Sequence, residues 1–366
     1  MPDQLEKPLH AQTLKLDPLV GTVVAVQANY YWVQLDPSTP STHLLCTRRT
    51  RLKKIGQQVM VGDRVQVEEP DWAGGRGAIS QVLPRHTELD RPPIANADQI
   101  LLVFALEAPT LDPSQLSRFL IKAESTELAV LLCLNKSDLV TPAVQQQWRD
   151  RLHVWGYDPV MISLRAGSGL EALQTQLNDR ITVVCGPSGV GKSSLTNQLI
   201  PKVDQRVNAV SGKLSRGRHT TRHVELFQLP LGGLIADTPG FNQPDLTCAP
   251  IELVHYFPEA RQRLATASCQ FSNCLHRDEP NCVVRGDWER YEYYLTFLEE
   301  AIAYQEALDR TSDADSTTKF KNKGDGQRQS EPMLARKKYR RPSRRTEKQD
   351  LQNLCQDMDQ SLTEED

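Results

Sequence analysis

The stretch Ile181-Thr182-Val183-Val184-Cys185-Gly186-Pro187-Ser188-Gly189-Val190-Gly191-Lys192-Ser193-Ser194 decides the fold. A β-rich run, Ile181–Cys185, leads into G-x-x-x-x-G-K-[ST], complete from Gly186 to Ser193, and a helical run over Ser194–Ile200 follows. Strand, glycine-rich loop and helix in that order form a phosphate cradle. The glycines let backbone N–H groups converge on phosphate oxygens, and the helix N-terminus adds positive potential. In such a cradle Lys192 reaches the β- and γ-phosphates and the Ser193 hydroxyl ligates Mg2+. Gly186, Pro187, Ser188, Gly189, Val190, Gly191 and Ser194 complete the loop. The motif alone does not choose between ATP and GTP.

Upstream, Asn135-Lys136-Ser137-Asp138 follows the apolar strand Ala129–Leu134 directly. N-K-x-D at the C-terminal end of a strand suits guanine. The Asp138 carboxylate can accept from the ring N–H and from the exocyclic amine, a donor pair that adenine lacks. Asn135 can fix the loop and face the guanine oxygen, and the stem of Lys136 can lie over the base. Hydrogen bonds to a charged group contribute about 1.5–3 kcal/mol each, so two give roughly 3–6 kcal/mol of preference over adenine. A base-backing loop usually comes next; Ser163-Leu164-Arg165, after the strand Pro159–Ile162, fits loosely, with Leu164 where a small residue is usual. The order is unusual, because Asn135 precedes Gly186 by 51 positions. Both segments can still meet at the C-terminal edge of one parallel sheet, where ligands bind whatever the connection order, so the sheet is expected to be circularly permuted.

Downstream, Asp237-Thr238-Pro239-Gly240 matches D-x-x-G after a short strand, Gly233–Ala236. Asp237 should hold Mg2+ and the Gly240 N–H should sense the γ-phosphate. The next residue is Phe241, not the glutamine that orients water in Ras-like enzymes, so slow intrinsic hydrolysis is expected. Between the two motifs, Ser215–Arg222 is polar and basic and is the candidate first switch. Thr220 or Thr221 could ligate Mg2+, and His219 could position water or contact a partner.

Cys269, Cys274, His276 and Cys282 give C-x4-C-x-H-x5-C. Three thiolates and one imidazole make a closed tetrahedral Zn2+ site, structural rather than catalytic, that would tie down a segment with little core of its own. The other cysteines, Cys46, Cys133, Cys185, Cys248 and Cys355, read as small hydrophobes or surface thiols.

The chain has 366 residues, 39% hydrophobic and 24% charged, with a net charge of -3. At this composition a sizeable core can be buried and a soluble globular protein is the default, and the charge balance does not announce a nucleic-acid binder. No apolar run approaches the roughly 20 residues of a membrane helix. Neither is an N-terminal apolar secretory segment seen, so a cytoplasmic protein with reduced thiols is expected. Five regions are predicted: an N-terminal tail (1–19), a small β-barrel (20–88), an α/β domain (89–245), a metal-binding, largely helical domain (246–310) and a disordered charged tail (311–366). The barrel strands are read at Gly21–Gln27, Tyr31–Leu35, Gln58–Val61 and Arg64–Glu68, with the basic run Arg48, Arg49, Arg51, Lys53 and Lys54 on a loop. Tyr30, Tyr31 and Trp32 could stack on bases or serve the core. The strands Gln99–Ala105, Ala129–Leu134, Pro159–Ser163, Ile181–Cys185 and Gly233–Ala236 alternate with helices such as Pro113–Glu124 and Pro142–Trp155, the pattern of a parallel sheet covered on both faces.

A barrel, N-K-S-D, G-P-S-G-V-G-K-S-S, G-R-H-T-T, D-T-P-G-F and the Cys/His segment, in that order over about 20–309, resemble the ribosome small-subunit-dependent GTPase A (RsgA/YjeQ) family. The resemblance implies an OB-fold barrel that binds RNA, a circularly permuted GTPase domain and a zinc-binding C-terminal domain. It implies hydrolysis of GTP to GDP with Mg2+, one Zn2+ per chain, and action late in maturation of the small (30S) ribosomal subunit near its decoding region. Contact with the subunit and its rRNA would stimulate hydrolysis and so release the protein; separately from the resemblance, a monomer is expected. Onto this chain the family's nucleotide residues carry over as Asn135 to Asp138 and Gly186 to Ser194, and its zinc ligands as Cys269, Cys274, His276 and Cys282. Two other readings compete: a GTP-regulated RNA-binding module with incidental turnover, and a P-loop kinase or ATPase, against which Asn135–Asp138 speaks.

Overall fold

Strands β1 (Leu19–Gln27), β2 (Tyr30–Leu35), β3 (His43–Arg48), β4 (Arg64–Asp71) and β5 (Arg76–Val82) close into a barrel in the order β1-β2-β3-β5-β4. Closure removes the sheet edges, and this is the five-stranded OB arrangement. The computed structural model describes residues 19–36, 42–90, 92–200, 224–237, 245–314, 318–322 and 328–332. Inward-facing Val23, Val33, Leu44, Cys46, Val65 and Ile79, all fully buried, fill the barrel. Two expectations change here. Gln58–Val61 is not a strand, since Val61 makes only a single bridge, to Ile94. The basic run is not on a loop: Thr50–Lys54 forms a short helix, α1, whose Leu52 plugs into the barrel core. Tyr31 is buried in that core, whereas Tyr30 is 53% exposed.

After a small ladder of β6 (Glu88–Asp90) and β7 (Pro93–Ala95) comes the α/β unit: β8 (Gln99–Ala105), α2 (Pro113–Glu124), β9 (Ala129–Asn135), α3 (Pro142–Val154), β10 (Val160–Met161), α4 (Leu170–Leu177), β11 (Ile181–Cys185), α5 (Lys192–Leu199), β12 (Leu226–Gln228) and β13 (Leu234–Asp237). The helix starts are written locally. Asp112 accepts from Ser114 N and Thr141 from Val144 N, each followed by proline at the first helical position. The sheet runs β10-β9-β8-β11-β13-β12, parallel except for β12. Counted from β11 as strand one, this order is 2-3-1-4-5-6 with only strand two antiparallel, so the chain enters its sheet at the fourth strand. All seven residues of β8 are buried. Ile100, Leu102 and Phe104 pack toward α2, and Leu101 and Val103 toward α4 and α5. That is the doubly covered sheet expected from the continuous apolar run.

Barrel and sheet meet at a β-bulge. The β1–β2 register shifts between Val23 and Ala25. The extra residue, Val24, leaves the barrel core and joins Val224, Leu226 and Ala236 in the core of the sheet. Beside it Ala25 bridges Glu225, just before β12.

Beyond β13 the chain forms α6 (Pro258–Thr266), an irregular Cys/His segment, and α7 (Tyr291–Ala314). The chain divides into two compact units, 1–301 and 302–366. The second holds the end of α7 and, within the stretch 311–366 expected to be a disordered tail, an antiparallel ladder of β14 (Thr318–Asn322) and β15 (Arg328–Pro332). The basic block 337–345 and the acidic end lie outside the described residues. No described helix is long and apolar enough to cross a membrane.

In the first unit, the Cys/His segment is fastened to the flank of the α/β unit by Arg290. This residue is fully buried, pairs its guanidinium with both oxygens of Glu259, and lies 4.8 Å from the Trp155 ring and 4.9 Å from Phe257. Trp155 Nε1 in turn donates to Glu289. Removing one member of a buried pair strands the other charge. Arg290→Ala is therefore expected to cost about 3–5 kcal/mol, whereas Arg290→Met with Glu259→Leu should recover most of it. Urea unfolding of the two variants checks this, and equal losses in both would refute it.

Candidate functional site

The C-terminal ends of β9, β8 and β11 lie side by side, with β8 between the other two. The predicted guanine motif ends β9 and the phosphate loop follows β11, so the two segments face each other across one strand. Asn135 is buried and its Nδ2 donates to Val190 O at 2.8 Å, while its Oδ1 accepts from Lys136 N. Lys136 Nζ donates to Gly189 O at 2.9 Å and also to Ala108 O, in the turn after β8. Two side chains of N-K-S-D thus grip the phosphate loop directly, and the permuted order is no obstacle to the site.

All three glycines of the loop have positive φ, and at two of them a side chain would also clash. Gly186 has φ +139° and a Cβ there would stand 2.1 Å from Val103 O. Gly191 has φ +100° at the cap of α5, and a Cβ would stand 2.5 Å from Asn135 Nδ2. Lys192 opens α5 and bends its Nζ back over the loop, donating to Gly186 O at 2.8 Å and Pro187 O at 2.6 Å. Ser193 and Ser194 are exposed at the helix start. Asp237 ends β13 in register with Val184, which places its backbone beside the phosphate loop. Gly240, Phe241, His219, Thr220 and Thr221 lie outside the described residues.

A cleft of about 300 Å³ opens between the three segments, lined by Asn135, Lys136, Asp138 and Leu139, by Leu164 and Arg165, and by Gly191 and Ser194. Leu164 and Arg165, from the loosely matching Ser163-Leu164-Arg165 loop, thus line the cleft beside the guanine motif. Ser163 does something the sequence did not reveal. It is buried, its Oγ donates to Asp138 Oδ1 at 2.5 Å, and the same oxygen accepts from Ala166 N. The hydroxyl fixes one oxygen of the carboxylate that edges the cleft, rather than lining it.

The four residues of the Cys/His motif converge, with their ligand atoms all within 4.8 Å of one another. Cys269 Sγ and Cys282 Sγ are 3.9 Å apart, and His276 Nδ1 lies 3.3–3.5 Å from the three sulfurs. A tetrahedral ion with metal–sulfur bonds of about 2.3 Å and a metal–nitrogen bond of about 2.0–2.1 Å would set sulfur–sulfur edges near ~3.8 Å and sulfur–nitrogen edges near ~3.6 Å. The residues fit such an ion. Burial, with the neighbouring thiols adding to it, pushes Cys274 up to about 12, and burial lowers His276. A cation among them supplies the charge that makes a thiolate acceptable there. The backbone around them is held from outside. Tyr291 and Tyr294 donate to the His276 and Leu275 carbonyls. The Glu279 carboxylate accepts from the Leu275 and Arg277 amides, and Arg285 N donates to Cys282 Sγ. Cys46, Cys133 and Cys185 are buried thiols whose pKa values burial raises, as expected of small hydrophobes.

On the barrel the basic run divides. Arg48 donates to Gln57 O and lies over Tyr31, and Arg49 pairs with Glu68 and Glu69. Arg51, Lys53 and Lys54 are exposed on α1 and form no ion pair among the described residues. Trp72, at the β4–β5 turn, is 40% exposed and was not singled out from the sequence.

Residues 82–247 match the model of the RsgA GTPase family. The chain is 65% identical to the small ribosomal subunit biogenesis GTPase RsgA of Trichormus variabilis, over 93% of this chain and 97% of that protein. It is 61% identical to the protein of the same name from Microcystis aeruginosa, over 92% and 94%. Among solved structures it resembles YjeQ from Thermotoga maritima, with TM-score 0.65 and 31% identity over 78% of this chain and 98% of that one. It also resembles YloQ, a circularly permuted GTPase, with TM-score 0.65 and 30% identity over 81% and 98%. With its sheet entered at the fourth strand and its guanine motif and phosphate loop joined across β8, this chain belongs to the RsgA GTPase family and is a circularly permuted GTPase.

Proposed function

We propose that this GTPase binds the small ribosomal subunit and assists its late maturation, that the subunit stimulates hydrolysis of GTP to GDP and phosphate, and that hydrolysis drives release. The observation that carries the nucleotide half is the convergence of Asn135, Asp138 and the phosphate loop on one cleft. The names of relatives more than 60% identical over nearly their whole length support the ribosomal half.

Asp138 reads the guanine ring N–H and exocyclic amine, with Ser163 orienting the carboxylate. The backbone N–H groups of Gly186–Ser194, Pro187 excepted, and the Lys192 ammonium hold the phosphates. Ser193 and Asp237 are the residues to hold Mg2+, which neutralises developing charge on the phosphates. Gly240 senses the γ-phosphate, Thr220 or Thr221 completes the metal's coordination, and His219 is the candidate for positioning water. With Phe241 after the D-x-x-G glycine, the chain lacks the usual water-orienting side chain, and contact with the subunit supplies what is missing. Zn2+ is the ion for the Cys269, Cys274, His276 and Cys282 set, since three soft thiolates and an imidazole in a closed tetrahedron suit it. Arg51, Lys53 and Lys54 supply phosphate contacts on the barrel, and exposed Tyr30 and Trp72 offer faces for unpaired bases. The protein works as a cytoplasmic monomer.

Turnover of GTP should be slow for the isolated protein and rise about tenfold or more with purified small subunits. An unchanged rate would leave a GTP-regulated RNA binder whose turnover is incidental. Asp138→Asn should weaken GDP binding about 10–100-fold, the loss of one charged hydrogen bond, and should transfer preference to xanthosine nucleotides, whose extra carbonyl suits an amide donor; titration calorimetry reads both. Metal analysis should find one zinc per chain, and Cys274→Ser should lose it together with several degrees of melting temperature. A metal-free protein of equal stability would remove the zinc assignment.

A further inference from the structure

We infer that Gln145, outside every nucleotide motif, is a positioning residue for guanine selection; this rests on the guanine reading of Asp138. The carboxylate of Asp138 is carried on a single 3-10 turn, Ser137–Leu139. The turn is entered through Lys136 at φ +59°, a backbone region that L-residues avoid. A turn that starts from such a residue keeps its shape only if surrounding contacts over-determine it. On the upstream side these are Lys136 N to Asn135 Oδ1 at 2.7 Å and the grip of Lys136 Nζ on the phosphate loop. At the turn itself, the buried Ser137 is held at both backbone groups. Its N donates to Ile162 O at 3.1 Å, and its carbonyl accepts from Gln145 Nε2 at 2.8 Å.

The Ile162 bond ties the turn to the chain that leads from β10 into Ser163, and the Gln145 contact is the one that ties it to a helix. Gln145 is half-buried in the first turns of α3, whose start is fixed by Thr141 and Pro142. The amide therefore anchors the guanine-reading turn to a rigid helix. The other bonds within the turn, Leu139 N to Lys136 O and the long Val140 N to Ser137 O, are internal to it and cannot set its position. Without the anchor the Ser137–Ile162 bond remains, and the turn can pivot about it relative to Ser163, whose hydroxyl holds Asp138 Oδ1. The two acceptor oxygens then no longer meet both guanine donors at once. Loss of this neutral hydrogen bond should be felt most where two donors must be matched together, and least for a base that offers one.

Inosine diphosphate keeps the ring N–H and lacks the exocyclic amine, so the ratio of its dissociation constant to that of GDP reports the double contact. Gln145→Met keeps the bulk and removes the donor. It should lower that ratio about fivefold, the worth of one hydrogen bond, and raise KM for GTP with little change in kcat and in melting temperature. Gln145→Lys, which restores a donor of similar reach, should return the ratio to within about twofold of the parent, and Gln145→Ala should behave as Gln145→Met. If Gln145→Met and Gln145→Ala both leave the ratio unchanged while Asp138→Asn collapses it, the anchoring role is wrong and the guanine reading stands. If Asp138→Asn also leaves it unchanged, the guanine reading itself fails. A ratio that falls only in step with melting temperature, and that Gln145→Lys does not restore, would assign Gln145 a purely structural role and overturn the proposal.

Discussion

The hydrogen bond from Asn135 Nδ2 to Val190 O joins two segments that the chain delivers in the reverse of the usual order. Its 2.8 Å span is possible because β9 and β11 both neighbour β8, which keeps their ends about 10 Å apart, two strand spacings. The phosphate loop then curls back over the end of β8, and Gly191 leaves the room that Asn135 needs. Everything nucleotide-related follows from that closure: the αL entry at Lys136, the turn that carries Asp138, and the cleft between the loops. A ligand site at a sheet edge depends on which strands are neighbours and not on which comes first. Permutation therefore changes where the chain begins and leaves the geometry of binding in place.

What permutation changes is what sits next to the site. In this chain the residues before β8 belong to a barrel, and the barrel is attached through its own first strand. The bulge at Val24 sends successive residues of β1 into different cores, Val23 into the barrel and Val24 into the sheet. The Ala25–Glu225 bridge continues the contact onto the edge strand β12. On the other side of the junction, Gly62 lies so close to Ala95 that a Cβ would stand 1.9 Å from its carbonyl oxygen, and buried Asp63 is paired with Arg85. These contacts bury apolar side chains and an ion pair at one seam, so barrel and sheet behave as one packed body rather than as two domains on a linker.

Much of this was legible because the residues state their purpose. β8 and β11 were bounded correctly from apolar runs alone, since a strand covered on both faces needs no alternation. The Cys/His cluster was legible from donor type and spacing. The barrel was harder. β5 carries Gly77 and Ser80 in its interior, and β3 mixes His43 and Thr47 with apolar residues, so both fell below the pattern. Gln58–Val61 looks like a strand and has no ladder partner. Five residues of α1 are too few to show a helical period. In the site, the motifs gave the residues that touch the ligand, but not those that hold the motif. Ser163's bond to Asp138 and Gln145's to Ser137 connect positions 25 and 8 apart whose proximity only the fold creates.

The Cys/His segment shows the same division between what a motif names and what makes it work. Its backbone is irregular from Ala267 to Arg290, and little of it contributes to the apolar clusters of the barrel and sheet. A segment of this kind cannot offset its own ordering entropy with buried surface. The four ligands close it at one end. At the other, Phe257, Trp288 and Tyr294 pack edge to face, at centroid separations of 5.3 and 5.6 Å about Phe257. Tyr294 belongs to both ends, since its hydroxyl donates to the Leu275 carbonyl between two ligands while its ring lies in the aromatic group. Arg290 then extends that group onto Trp155 of the α/β unit. The metal ligands, the aromatic cluster and the buried ion pair form a single chain of contacts, in which each link fixes a part of the backbone that the next one uses. Loosening the ligand end therefore weakens the attachment of the segment as well as its internal order, because the tyrosine that supports the ligands also packs against the residues that dock it.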